Sequence, residues 1–109
     1  MKNNSLLAFL EARGSPSKEE VWSKAIYCDE VSEAKGFRKD DNGNWIHRDQ
    51  YGNRENEYGW EFDHVIPVSL GGHGGLGNIR PLHWKANARK SDTPPGLFEL
   101  ARARSGGSI

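Results

Sequence analysis

The stretch WEFDHVIPVSLGGHGGLGNIRPLHWKANARKSD, residues 60–92, decides the fold of this chain. It opens with an imperfect alternation of apolar and polar residues around Trp60 and Phe62, which is typical of a half-buried strand. A glycine-rich loop follows, then a short extended piece over residues 79–82 and a helical segment that includes His83. We therefore predict a strand, a loop, a second strand and a helix, which the rest of the chain supports and extends.

The length of the chain, 109 residues, leaves room for one domain, and its hydrophobic fraction of 35% allows only a small core. A bound ion or long packed loops would supplement such a core. We predict a single α+β domain over residues 1–109 with its central unit at residues 58–92. A helical and hairpin extension covers residues 1–57, and a tail over residues 93–109 carries a short helix at residues 97–104.

Local signals predict the elements of the N-terminal extension. Residues 5–13 can form two turns of helix. Ser17 and Glu20 have the spacing of a capping box, which predicts a helix over residues 18–28. The dipeptide Asn-Gly within residues 36–48 suits a tight turn and indicates a hairpin.

The charge and cysteine content exclude several classes of protein. The net charge is zero, although basic residues concentrate between positions 80 and 104 and acidic ones between positions 19 and 33. Cys28 is the single cysteine, so an intramolecular disulfide and a four-cysteine zinc ribbon are both excluded, and no structural zinc is expected. No apolar run is long enough to span a bilayer, so we predict a soluble, cytoplasmic protein without a membrane partner.

The polar residues of the central stretch suit the hydrolysis of a phosphodiester. A neutral imidazole can take the proton of an attacking water, and a hard divalent cation can neutralise charge on the phosphoryl oxygens. Asp63 and His64 are adjacent, so on a strand they point to opposite faces, the carboxylate toward a metal ion and the imidazole toward a water. The side-chain oxygen of Asn78 is placed to accept the imidazole Nδ1–H, and Asn87 offers a neutral oxygen ligand.

Other polar residues of the stretch have more than one interpretation. His83 is a metal ligand, a phosphate contact, or a helix-start residue packed against Trp84. Glu61 either supports the metal site from beside it or pairs with a residue on the neighbouring strand. The basic side chains near the helix are either a solvated surface or, as we prefer beside a metal site, contacts to DNA phosphates. These DNA-binding candidates are Arg80, Lys85, Arg89 and Lys90.

Together these residues resemble the HNH endonucleases, which have the ββα-metal or His-Me finger fold. The family pattern is matched by Asp63-His64 on the first strand, by Asn78 after the loop, and by Asn87 nine positions later. The ending NARKSD, residues 87–92, is similar to helices in the HNH domains of RNA-guided nucleases. The lead-in YGNRENEYGWEFDH, residues 51–64, is similar to that of small stand-alone HNH proteins.

The resemblance implies a metal-dependent endonuclease that hydrolyses DNA and leaves 5′-phosphate and 3′-hydroxyl ends. It implies His64 as the general base, Asn78 as the residue that orients it, and Asp63 and Asn87 as ligands of one Mg²⁺, or of another divalent cation such as Mn²⁺. The chain departs from many family members because it lacks two CxxC pairs. It has Ser91 where some colicin-type relatives carry a third ligand, which favours Mg²⁺ over a transition metal. The alternative is a non-cleaving nucleic-acid-binding module or accessory subunit of the same fold.

Overall fold

A computed structural model describes residues 15–91 of the chain, so the predicted helices over residues 5–13 and 97–104 lie outside the described residues. Within that range the chain is a mixed α+β structure with two small antiparallel sheets, as predicted. The elements in chain order are α1 (Lys18–Trp22), α2 (Glu30–Ala34), β1 (Phe37–Lys39), β2 (Trp45–His47), β3 (Trp60–His64), β4 (Ile79–His83) and α3 (Trp84–Ser91). Short 3₁₀ helices lie at Arg48–Gln50, Val68–Leu70 and Leu76–Asn78.

Helix α1 begins with the predicted capping box but is shorter than predicted. The backbone N–H of Glu20 donates to Ser17 Oγ at 3.1 Å, and the N–H of Ser17 donates to the Glu20 carboxylate at 2.9 Å. The prediction that the helix continues to residue 28 is wrong, because α1 ends at Trp22. The chain leaves the helix because Ile26 pairs with Lys39 through two backbone hydrogen bonds of 2.8 and 3.0 Å.

Helix α2 was not predicted from the sequence. Its N-terminus is capped by Asp29, whose carboxylate accepts from the Ser32 N–H at 2.8 Å. The helix contains no buried residue, so it lacks the apolar periodicity that reveals longer helices.

The predicted hairpin is confirmed by strands β1 and β2, which pair with Phe37 opposite His47 and Lys39 opposite Trp45. The turn between them requires glycine at one position, since Gly43 has a φ of +84°.

Strands β3 and β4 form the second sheet, and α3 follows β4 directly. In their antiparallel register Trp60 lies opposite His83, Asp63 opposite Arg80, and His64 opposite Ile79. The prediction that His83 belongs to the helix is wrong, because it is the last residue of β4. A strand, a loop, a strand and a helix therefore follow one another as the sequence indicated.

The core joins the N-terminal elements to the second sheet. Trp22 and Trp60 pack with ring centroids 5.2 Å apart, and Trp60 is fully buried. The buried cluster consists of Val21, Trp22, Ala25, Ile46, Trp60 and Ile79. None of the helices within residues 15–91 is long and apolar enough to cross a membrane.

Candidate functional site

Alternation along β3 separates two sets of side chains. Glu61 and Asp63 point toward α3, because each hydrogen-bonds a side chain of that helix. Trp60 and Phe62 point the other way and stack on each other at 6.3 Å. His64 ends the strand two positions after Phe62, where alternation assigns it to the side opposite to Asp63.

Asp63 is a buried carboxylate held by two cations. Its side chain is 5% exposed. Nε of Arg80, the residue opposite it on β4, donates to Oδ2 at 2.9 Å, and Nζ of Lys90 on α3 donates to Oδ1 at 2.8 Å. The two positive charges offset the cost of burying a carboxylate in this position.

Lys90 also binds the backbone that follows Asp63. Its ammonium donates to the carbonyl oxygen of His64 and lies 3.3 Å from that of Val65. Arg80 and Lys90 were both predicted to meet DNA phosphate. The structure instead turns them inward, with side chains 16% and 14% exposed, while Lys85 and Arg89 are exposed on α3.

Glu61 joins α3 to the loop that precedes β3. Its Oε1 accepts from Nδ2 of Asn87 at 2.8 Å and from Arg54 at 2.9 Å. The hydrogen bond from Arg54 lowers the pKa of Glu61, and the bond from Asn87 adds to this effect. Of the two interpretations of Glu61, pairing across strands does not describe it, because the residue opposite is Leu82.

Asn78 braces the loop after His64 rather than the imidazole ring itself. Its Oδ1 accepts from the Ile66 N–H at 2.9 Å, and its Nδ2 donates to the carbonyl oxygens of Ile66 at 3.0 Å and His73 at 2.7 Å. The side chain is buried, and these bonds differ from the predicted bond to the ring of His64. The loop passes so close that a Cβ at Gly72 would lie 1.7 Å from the Ile66 carbonyl oxygen.

His83 is a structural residue by its contacts. Its Nδ1 accepts from the Lys85 N–H at 3.0 Å, so Nε2 carries the proton and donates to the Glu57 carbonyl oxygen. Its ring stacks on Trp84 at 5.8 Å and the residue is 7% exposed. Both ring nitrogens are thus engaged, which matches packing against Trp84 rather than the metal-ligand or phosphate-contact interpretation.

Asp40 is a buried residue that the sequence analysis missed. It is fully buried, and its Oδ2 accepts from the backbone N–H of His83 at 2.9 Å and from Nδ2 of Asn44 at 3.1 Å. Its Oδ1 accepts from the backbone N–H groups of Asn42 and Asn44. This carboxylate fastens the hairpin turn to the junction of β4 and α3. The repeated Asp, Asn and Gly of the turn were its only signal in the sequence.

Several oxygen donors lie beside α3, and cations of the chain itself already bind some of them. Within residues 15–91 no three His, Cys, Asp or Glu side chains gather as a metal cluster, so any ion there depends on a mixed set. The Asp63 carboxylate and the His64 carbonyl already hold the ammonium of Lys90. Carboxylate, carbonyl and amide oxygens are the ligands that Mg²⁺ prefers, and Asn87 adds an amide on the same side of β3.

The strand pair β3–β4 and helix α3 form a small α+β unit, with a polar site between the strand pair and the helix. Residues 49–93 match the family model described as HNH endonuclease, so this segment of the chain is similar to that family. No curated protein and no solved structure matches the chain significantly. The family match confirms the resemblance that rests on Asp63, His64, Asn78 and Asn87.

Proposed function

We propose that the chain is a metal-dependent HNH endonuclease that hydrolyses DNA phosphodiester bonds. The observation that carries the proposal is the arrangement around β3. One face of the strand carries Asp63 and Glu61 against α3, where Asn87 lies, and His64 leaves the opposite face. The family match over residues 49–93 supports a nuclease-type activity.

In this proposal Asp63 and Asn87 would hold one Mg²⁺ or Mn²⁺, which would supply neutralisation of charge on the phosphoryl oxygens and on the leaving oxygen. His64 takes the proton of the attacking water, as a neutral imidazole does near neutral pH. Asn78 keeps this histidine in place through the loop that follows it.

The remaining residues orient the site and the substrate. Arg80 and Lys90 fix the Asp63 carboxylate, and Glu61 fixes the amide of Asn87. Lys85 and Arg89 are exposed on α3 and bind phosphate by charge. Contacts of this kind position the DNA without reading its sequence.

A plasmid assay tests the proposal. Supercoiled DNA is incubated with the purified protein in Mg²⁺ or in EDTA, beside His64→Ala and the control His73→Ala, which removes an exposed loop histidine. We expect Mg²⁺-dependent nicking that falls by about 100-fold or more in His64→Ala and persists in the control. Equal nicking by His64→Ala and wild type overturns the assignment of the base.

A second candidate function is a non-cleaving nucleic-acid-binding module of the same fold. The observation that favours it is the pairing of both Asp63 oxygens with cations of the chain itself. Salt-sensitive DNA binding without nicking in Mg²⁺, Mn²⁺ or other divalent ions would support this function over hydrolysis.

A further inference from the structure

A groove of about 320 Å³ lies between the hairpin and α3, on a side of the helix different from that of Asn87 and Lys90. Its volume is at the lower end of small-molecule sites, which span about 300–1,000 Å³. The residues that line it include Asn44, Trp45, Tyr58, His83, Lys85 and Arg89.

The walls of this groove are fixed relative to one another. The Asp40 carboxylate binds Asn44 of the hairpin and the backbone N–H of His83 at the base of α3. The third wall of the groove is the segment with Glu57 and Tyr58. The indole Nε1 of Trp84 fixes this segment to α3 by donating to the carbonyl oxygen of Asn56 at 2.9 Å. A groove held by hydrogen bonds in this way is preorganised, so a ligand need not order it on binding.

Aromatic rings line the side of the groove formed by the hairpin. Trp45 is 38% exposed although it lies on a strand. Phe37 meets Trp45 and Tyr58 edge-on, with centroids 6.3 and 5.0 Å away, and so holds both rings in place. The same rings line an adjoining depression of about 200 Å³ that is bordered by Ser32. An exposed ring such as Trp45, held beside the half-buried ring of Tyr58, is a platform on which a nucleobase can stack.

Cations line the opposite side. Lys85 and Arg89 are separated by four residues on α3, so they lie on the same face of the helix. On the hairpin itself, Lys39 Nζ lies 4.8 Å from the ring centroid of Trp45 and adds a positive charge on that side. Glu57 is the acidic residue of the lining, and its carboxylate raises the pKa of Tyr58.

We propose that this groove binds an unpaired nucleotide of single-stranded DNA, with the base against Trp45 and Tyr58 and its phosphates at Lys85 and Arg89. A duplex keeps its bases stacked and paired, so it offers phosphates to the lysine and arginine but no base face to the rings. The inference rests on the proposed function for the identity of the ligand as DNA. It adds the substrate class, a strand that is single or locally unpaired.

Binding measured in EDTA tests the groove without cleavage. A labelled single-stranded oligonucleotide and the duplex of the same sequence are titrated with the full chain and its variants. We expect Trp45→Ala to weaken single-strand binding by about 5- to 150-fold and duplex binding by less than about 2-fold. Trp45→Phe, which keeps a ring, recovers most of the single-strand affinity.

Two further variants separate stacking from charge. Tyr27→Ala removes another exposed ring, 52% accessible and outside the groove, and leaves both affinities unchanged. Lys85→Ala weakens both ligands and lowers the salt dependence of single-strand binding by about 0.7 in log–log slope. Wild-type affinity of a folded Trp45→Ala for the single strand overturns the inference.

The failure of this inference is distinguishable from failure of the proposed function. Binding of single strands that depends on Trp45, without nicking in any divalent ion, supports the inference about the groove and refutes the proposed nuclease function. Metal-dependent nicking, together with single-strand binding that Trp45→Ala leaves unchanged, supports the nuclease function and refutes the inference about the groove.

Discussion

The ammonium of Lys90 lies 2.8 Å from Oδ1 and 3.0 Å from Oδ2 of Asp63, so a helix side chain neutralises the carboxylate of the neighbouring strand. The same nitrogen binds the His64 carbonyl oxygen, one residue beyond the carboxylate. This single side chain therefore fixes α3 against the end of β3. It also occupies oxygens that a divalent ion at this site would need.

Replacing Lys90 by methionine should destabilise the fold. The change leaves the buried Asp63 carboxylate with Arg80 as its remaining ion-pair partner and removes a donor from the His64 carbonyl. We expect a loss of about 1–3 kcal/mol in the free energy of unfolding, measured in urea. The matched control Lys85→Met changes an exposed lysine of the same helix and should stay within about 0.5 kcal/mol.

The same variant should respond more strongly to Mg²⁺. If Asp63 holds a divalent ion as proposed, Lys90 competes with that ion for the carboxylate, and its removal favours the bound ion. Thermal unfolding with and without Mg²⁺ should show a larger upward shift for Lys90→Met than for wild type, because a ligand stabilises the state that binds it. A shift equal to or smaller than that of wild type would show that lysine and metal do not compete.

Replacing Asp40 by asparagine should be costly although the two side chains have the same shape. Both oxygens of Asp40 accept hydrogen bonds, including those from His83 and Asn44, and an amide would direct N–H groups at some of these donors. We expect a loss of about 2–4 kcal/mol in the free energy of unfolding. Asp41→Asn is the control, because Asp41 has a half-exposed side chain and should contribute below about 1 kcal/mol.

The pairing of Glu61 with Arg54 predicts a dependence of stability on pH. Because folding lowers the pKa of Glu61, its contribution is present above the ordinary value of 4.5 and is lost as pH falls through the lower folded value. The difference in unfolding free energy between wild type and Glu61→Gln should therefore shrink as the pH falls below 4.5. A difference independent of pH would argue against this ion pair, and Glu55→Gln in the exposed loop is the control.

Gly72→Ala tests the loop that Asn78 braces. A Cβ at Gly72 meets the Ile66 carbonyl oxygen at 1.7 Å, and Nδ2 of Asn78 at 2.9 Å. The backbone must move, so we expect a loss of about 2–4 kcal/mol and a shifted loop. Gly77→Ala is the matched control, because its Cβ would meet no atom closer than 3.9 Å. Equal stability of the two variants by urea unfolding would mean that the loop has room to adjust.

The sequence predicted the order of elements around β3 because each has a local signal. Alternation of apolar and polar residues predicted β3, and the glycines predicted the loop. The nine-residue spacing of Asn78 and Asn87 indicated the family. Local patterns failed where a distant partner decided the outcome. Ile26 was predicted to be helical but pairs with Lys39, and His83 was predicted to be helical but lies on β4 opposite Trp60.

Local sequence patterns could not predict the hydrogen-bond partners of the site residues, because those partners are distant in sequence. Lys90 and Asp63 are 27 positions apart, and Asp40 and His83 are 43 apart. A basic residue on a helix looks the same in sequence whether it faces phosphate or a buried carboxylate. The inward direction of Arg80 depends on strand register, which places it opposite Asp63 and which the sequence analysis did not attempt.

The contact between Trp22 and Trp60 bears on how this protein should be shortened for study. Residues 49–93 carry the family match, yet Val21, Trp22, Ala25 and Ile46 of the core all precede that segment. A fragment trimmed to the family boundaries would open the Trp60 indole to water and lose the surface on which β3 rests. A shortened form of this protein therefore has to keep α1 and the hairpin of β1 and β2, although both precede the segment that matches the family.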